Sequence, residues 1–121
     1  MPYTFNFEKL QVWKDSKDLA KFIYQLTRTF PEEEKYGMVS QLRRASISVC
    51  NNIAEGSGRQ TGKDQGWFTT VAYSSLLETM NMLIIAYEMD MINEDKYETA
   101  RKDIEKIANK LNALRKTQLK K

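Results

Sequence analysis

Proline and glycine are confined to a few short windows of this chain, and that confinement limits its fold more than any other feature. The prolines are Pro2 and Pro31, and the glycines are Gly37, Gly56, Gly58, Gly62 and Gly66. From Trp67 to Lys121 there is neither. Proline removes a backbone donor and glycine raises the entropy cost of ordering, so stretches free of both favour long helices over short, turn-rich strands. The breakers, with a polar break at Asn93, predict helices over about 8–30, 36–55, 63–90 and 94–118.

Apolar spacing supports each segment. In the first, Val12, Ser16, Leu19, Ile23, Leu26 and Phe30 alternate steps of four and three, the seam of a helical bundle. Trp13 and Phe22 widen that stripe, while Lys14, Lys17, Lys21 and Arg28 read as solvated surface. The run Glu32–Glu34 suits a helix N-terminus, where negative charge meets the positive end of the dipole. The second segment turns Leu42, Val49 and Ile53 inward, with Ser46 and Cys50 between them, and Gly56 is expected to close it. The fourth carries Tyr97, Ala100, Ile104, Ile107, Leu111 and Leu114, with Asn93 as its expected N-cap. Four helices with short connections in 121 residues predict one all-α domain, an antiparallel up-down-up-down four-helix bundle spanning 1–121.

Several function classes are disfavoured. The chain has no histidine, which removes the usual general base and the commonest metal ligand. Cys50 is the single cysteine, so no intrachain disulfide forms, and without a histidine to activate it the thiol reads as a small buried hydrophobe. The carboxylates fall at helix ends and exposed faces rather than in the clusters that metal-assisted phosphoryl chemistry needs. Gly56-Ser57-Gly58-Arg59 follows a helix instead of opening one, so it reads as a turn rather than as a phosphate loop. No cofactor and no metal are expected. No signal segment is visible at MPYTFNFEKL, and no apolar run is free enough of polar residues to sit in lipid, so no membrane is expected and the cytosol is the expected compartment.

Charge is unevenly spread. Residues 62–100 hold two Lys/Arg against seven Asp/Glu, and residues 101–121 hold eight against two. The basic end, with Arg43, Arg44, Arg59, Lys63, Arg115 and Lys116, forms a candidate surface for RNA or DNA. The third segment points to self-association. Between Gln65 and Tyr87 its only charge is Glu78, and apolar residues surround it nearly all round. Val71, Tyr73, Leu77, Met80 and Ile84 are therefore expected at an oligomer interface. On the second segment Gln41, Arg44, Ser48, Asn51 or Asn52, and Glu55 share a polar face. A lone carboxylate among apolar residues needs a partner, so Glu78 is expected to pair with Arg43 or Arg44 across helices or across a subunit boundary, in a polar set with Asn52 and Glu55.

The same residues carry a family resemblance. Phe7-Glu8-Lys9-Leu10-Gln11-Val12-Trp13, then Tyr36-Gly37 with Ser40-Gln41-Leu42-Arg43-Arg44-Ala45, Asn52-Ile53-Ala54-Glu55-Gly56 and Gly58-Arg59, and finally Ser75-Leu76 with Glu78, resemble the four helix bundle protein family. That family includes the proteins encoded in intervening sequences of bacterial 23S ribosomal RNA genes. Cys50-Asn51 departs from a position where members often carry Pro-Ser or a similar pair. The resemblance implies a homopentameric barrel around a central channel. It also implies kinship with the accessory protein of diversity-generating retroelements, which binds nucleic acid and its reverse transcriptase, and it implies no established activity. Two readings stay open: a non-enzymatic accessory protein for structured RNA, or a scaffold that docks a protein partner.

Overall fold

The computed structural model describes residues 2–121, and these form an all-helical bundle without strands. The four long helices are α1 (Gln11–Thr27), α2 (Ser40–Ser57), α3 (Gly62–Glu88) and α4 (Glu94–Leu119). Each packs on its chain neighbours, and α1 closes the square against α4, so the order is up-down-up-down. The expected stripes form the core. Leu19, Ile23, Leu42, Val49, Leu76, Leu83, Ile107 and Leu111 are all but fully enclosed.

Small hydroxyl residues share that interior. Ser16, Ser46 and Thr79 are completely buried, and each hydroxyl donates to a carbonyl of its own helix: Val12 (2.7 Å), Arg43 (3.0 Å) and Ser75 (2.9 Å). Among the described residues no buried side-chain polar atom lacks a partner.

The helix ends differ from the expected boundaries for identifiable reasons. The chain enters through a short 3-10 turn, Asn6–Lys9, before α1 begins. The acidic run forms a second 3-10 turn at Glu32–Glu34, followed by a π-helical turn at Lys35–Val39. There the Glu34 carboxylate accepts from the Met38 N–H at 3.4 Å. Gly56 does not close α2. It lies buried inside the helix, where a Cβ would stand 2.7 Å from the Cβ of Phe68, so its role is close approach of α2 and α3. Asn93 does cap α4, accepting from the Lys96 N–H at 2.9 Å. Asp90, at φ 62°, takes the left-handed turn that ends α3, and the Met91 N–H returns to the Ala86 carbonyl at 2.9 Å.

Candidate nucleic-acid interface

Up-down-up-down order brings the α2–α3 turn and the end of α4 to the same end of the bundle. Two glycines set how closely they meet. A Cβ on Gly62 would lie 2.1 Å from the Gln118 carbonyl oxygen, and one on Gly66 would lie 2.6 Å from Leu119 Cδ2. The buried Thr69 hydroxyl donates to Gln118 Oε1 at 2.6 Å. Gln65 ties the turn to the tail: its Nε2 donates to the Arg59 carbonyl at 2.9 Å, and its Oε1 accepts from Lys121 Nζ at 3.1 Å.

The result is a basic end. Residues 55–64 and 115–121 carry Arg59, Lys63, Arg115, Lys116, Lys120 and Lys121 against Glu55 and Asp64. The Arg59 guanidinium lies over the Phe68 ring at 4.5 Å. Arg115 lies over Tyr73 at 5.8 Å and donates to Asn112 Oδ1 at 3.0 Å. These contacts hold two planar cations in place while Lys63, Lys116, Lys120 and Lys121 stay exposed. Four of the six residues expected to contact nucleic acid therefore meet here. Lys120 and Lys121 join them; their membership follows from topology, which places the chain terminus beside the α2–α3 turn.

Arg43 and Arg44 do not belong to this set. They lie toward the other end of α2, with Arg44 fifteen positions before Arg59, about 22 Å along a helix axis. Arg43 faces α1: its Nε donates to Thr27 Oγ1 at 2.9 Å, an Nη donates to the Tyr24 carbonyl at 3.3 Å, and the guanidinium covers the Tyr24 ring at 4.7 Å.

The expected Glu78 ion pair is absent within the chain. Glu78 is exposed and shares a cleft with Gln41, Arg44, Ala45 and Ser48. The one ion pair among the described residues joins Lys110 of α4 to Asp15 of α1. Within one chain Glu78 needs no such partner, because α3 turns it outward to water, and Arg43 covers an aromatic ring instead; the pairing across a subunit boundary involves a second copy. Elsewhere on that face of α2, Ser48 bonds Ser75 of α3 at 2.8 Å, and Asn52 donates back to the Ser48 carbonyl at 2.8 Å. Glu55 stays exposed.

The candidate oligomer residues also divide. Tyr73, Met80 and Ile84 pack against the chain's own core, and Val71 is half-buried. Leu77 is 51% exposed, and Trp67 and Ile85 lie outward with it. Helix α3 packs more extensively on its two neighbours, α2 and α4, than α1 does on its own two, and this covers much of its apolar circumference within the chain.

Cys50 borders a groove of about 420 Å³ between α1 and α2, with Trp13, Tyr24 and Ile47 on its walls and Lys17, Lys21 and Arg28 along it. Burial pushes its thiol up to about 11, far from the thiolate a nucleophile needs. Among the described residues no group of His, Cys, Asp and Glu could hold a metal ion, and no helix is long and apolar enough to cross a membrane.

The fold is similar to a crystal structure of a protein of unknown function from the S23 ribosomal protein family of Bacteroides thetaiotaomicron. The TM-score is 0.78 at 24% identity, covering 87% of this chain and 98% of that one. No curated protein matches in sequence. Residues 8–113 match the family model described as 23S rRNA-intervening sequence protein. That span takes in all of α1, α2 and α3 and most of α4, so the chain belongs to the 23S rRNA-intervening sequence protein family.

Proposed function

We propose that this protein is a non-enzymatic, cytoplasmic, homo-oligomeric bundle that binds structured RNA through its basic end. The observation that carries the reading is the meeting of Arg59, Lys63, Arg115, Lys116, Lys120 and Lys121 around the α2–α3 turn and the α4 terminus. Cations gathered at one end of a bundle recognise a polyanion through its phosphates, with counterion release as the driving force and little dependence on base sequence. Helical RNA suits such a surface, because its regular phosphate rows present charge without requiring base readout. Assembly as a homopentamer, as the family resemblance implies, would repeat that end several times on one particle and raise avidity for an extended RNA.

The test is binding of a fluorescent RNA hairpin at low and moderate salt. The wild type should retain the RNA at low salt. Lys116→Gln with Lys120→Gln and Lys121→Gln should lose most of the affinity, while Arg43→Gln with Arg44→Gln should keep it. No retention by the wild type, or equal losses in both variants, would overturn the reading. A second reading, a scaffold that docks another protein, is favoured by the exposed aromatic residues Tyr3 and Phe5 at the start of the chain. It predicts a particle that ignores RNA at every salt concentration.

A further inference from the structure

We infer that the groove between α1 and α2 receives the outer face of α3 from a second copy of this chain, in a head-to-tail contact centred on Leu77 and Glu78. This inference rests on the homo-oligomeric reading and names the surfaces that would make it.

The two surfaces match in polarity and in charge. The groove is apolar at Tyr24 and Ile47, which are 39% and 36% exposed, and the charged residues along it are all cationic: Lys17, Lys21 and Arg28. From Gln65 to Met89 the charges on α3 are Glu78 and Glu88, both acidic and both exposed. Leu77 is the residue beside Glu78 that the chain's own core leaves half uncovered. An apolar knob flanked by a carboxylate thus has its complement in an apolar groove flanked by cations.

The heights agree as well. Arg43 of α2 meets Tyr24 and Thr27 of α1, and Ser48 of α2 meets Ser75 of α3. Because both neighbours run antiparallel to α2, Leu77 and Glu78 stand at nearly the height of Tyr24 and Ile47. Lys21 lies three positions before Tyr24 on α1, and Arg28 lies four positions after it, capping that helix, about one helical turn each way. A neighbour related by rotation about an axis along the bundle keeps its heights. Leu77 then arrives between Tyr24 and Ile47, with Glu78 between Lys21 and Arg28. Groove and knob lie on different sides of the bundle, so the contact is heterologous and generates a ring when the rotation closes.

The experiment is a charge swap followed by light scattering coupled to size exclusion. Lys21, Arg28 and Glu78 are exposed, so their substitution leaves the core intact, and circular dichroism checks that helicity is retained. The wild type should run as a multiple of the 14.1 kDa chain. Lys21→Glu with Arg28→Glu should fall to the mass of one chain, and adding Glu78→Lys should restore the particle. A multi-chain particle that the double substitution leaves whole, or that the third substitution fails to restore, overturns this surface assignment and leaves the homo-oligomeric reading standing. A monomeric wild type overturns both.

A second measurement uses an introduced pair of thiols. Exposed Ser74 lies at about the height of exposed Asn51 on the groove wall, so in a Cys50→Ser background Ser74→Cys should join Asn51→Cys of the next copy through a short bifunctional maleimide. A ladder running past dimers on a denaturing gel, abolished when either introduced cysteine is left out, is the expected result. Products that stop at dimers, or no products, overturn the proposal.

Discussion

Replacing Gly62 by alanine should destabilise the protein, against the ordinary helical preference for alanine. An added methyl would lie 2.1 Å from the Gln118 carbonyl oxygen and 2.8 Å from Lys121 Cβ. Ordinary carbon–oxygen contact begins near about 3.3 Å, so the obstacle must retreat by about 1 Å. That obstacle is backbone, which means the last turn of α4 moves rather than one rotamer. The buried bond between Thr69 and Gln118 goes with it, and leaving those groups unpaired costs about 1–3 kcal/mol. Alanine returns at most about 1 kcal/mol of helix propensity, and less at the first helical position. The expected net loss is therefore about 1–2 kcal/mol. Gly58 is the control. It sits in the right-handed helical region, and its Cβ would meet nothing closer than the Glu55 carbonyl at 3.6 Å, an ordinary contact. Gly58→Ala should be neutral or stabilise by up to about 1 kcal/mol. Urea unfolding separates the two: the Gly62→Ala midpoint should fall by roughly 0.5–1 M at unchanged slope. Amide exchange should quicken over residues 115–119. A Gly62→Ala protein as stable as Gly58→Ala would refute the close-approach argument.

Three further outcomes follow from the same structure. If all six cations of the basic end touch phosphate, log affinity against log salt should fall with a slope near roughly −5, halving to about −3 when Lys116, Lys120 and Lys121 become glutamine; a salt titration of hairpin binding reads both slopes. Asp90→Gly removes a side chain from the left-handed turn after α3 and should stabilise by about 0.5–1 kcal/mol, read as a raised thermal midpoint. Burial alone would raise the Asp15 carboxyl, but hydrogen bonds from Lys110 and Gln11 outweigh it and hold the group below its ordinary value. Its stabilisation is therefore present above the unfolded value of 3.8 and fades as pH falls through the lower folded value. Asp15→Asn should cost only about 0.5 kcal/mol at neutral pH, since Lys110 remains 34% exposed, and the difference should vanish in strong acid when unfolding is followed against pH.

Spacing made the core legible. The α1 stripe from Val12 to Phe30 and the α4 stripe from Tyr97 to Leu111 are buried as read, because periodicity is a local property that packing obeys. What escaped depends on which helices are neighbours. Tyr73 and Met80 look like unpartnered surface until α2 and α4 are placed on both sides of α3. Arg43 looks free for Glu78 until Tyr24 lies beneath its guanidinium, a contact nineteen positions away in the chain that no spacing rule announces. Gly56 reads as a helix terminator because glycine has two structural uses, and only the nearby Phe68 selects the close-packing one. The basic end was half legible: Arg59, Lys63, Arg115 and Lys116 are visible as cations, but their meeting is a consequence of chain direction.

The two tryptophans give the molecule a pair of optical gauges. Trp67 is 63% exposed, one turn above Lys63 at the basic end, so its indole emits from water and should shift or quench when a polyanion covers that end. Trp13 is half-buried on the wall of the α1–α2 groove, with Lys17 Nζ 5.0 Å from its ring, so its emission follows the dryness of the groove. Trp67→Phe and Trp13→Phe split the signal into two channels. One titration then reads occupancy of the end and of the side of the bundle separately, with no label attached.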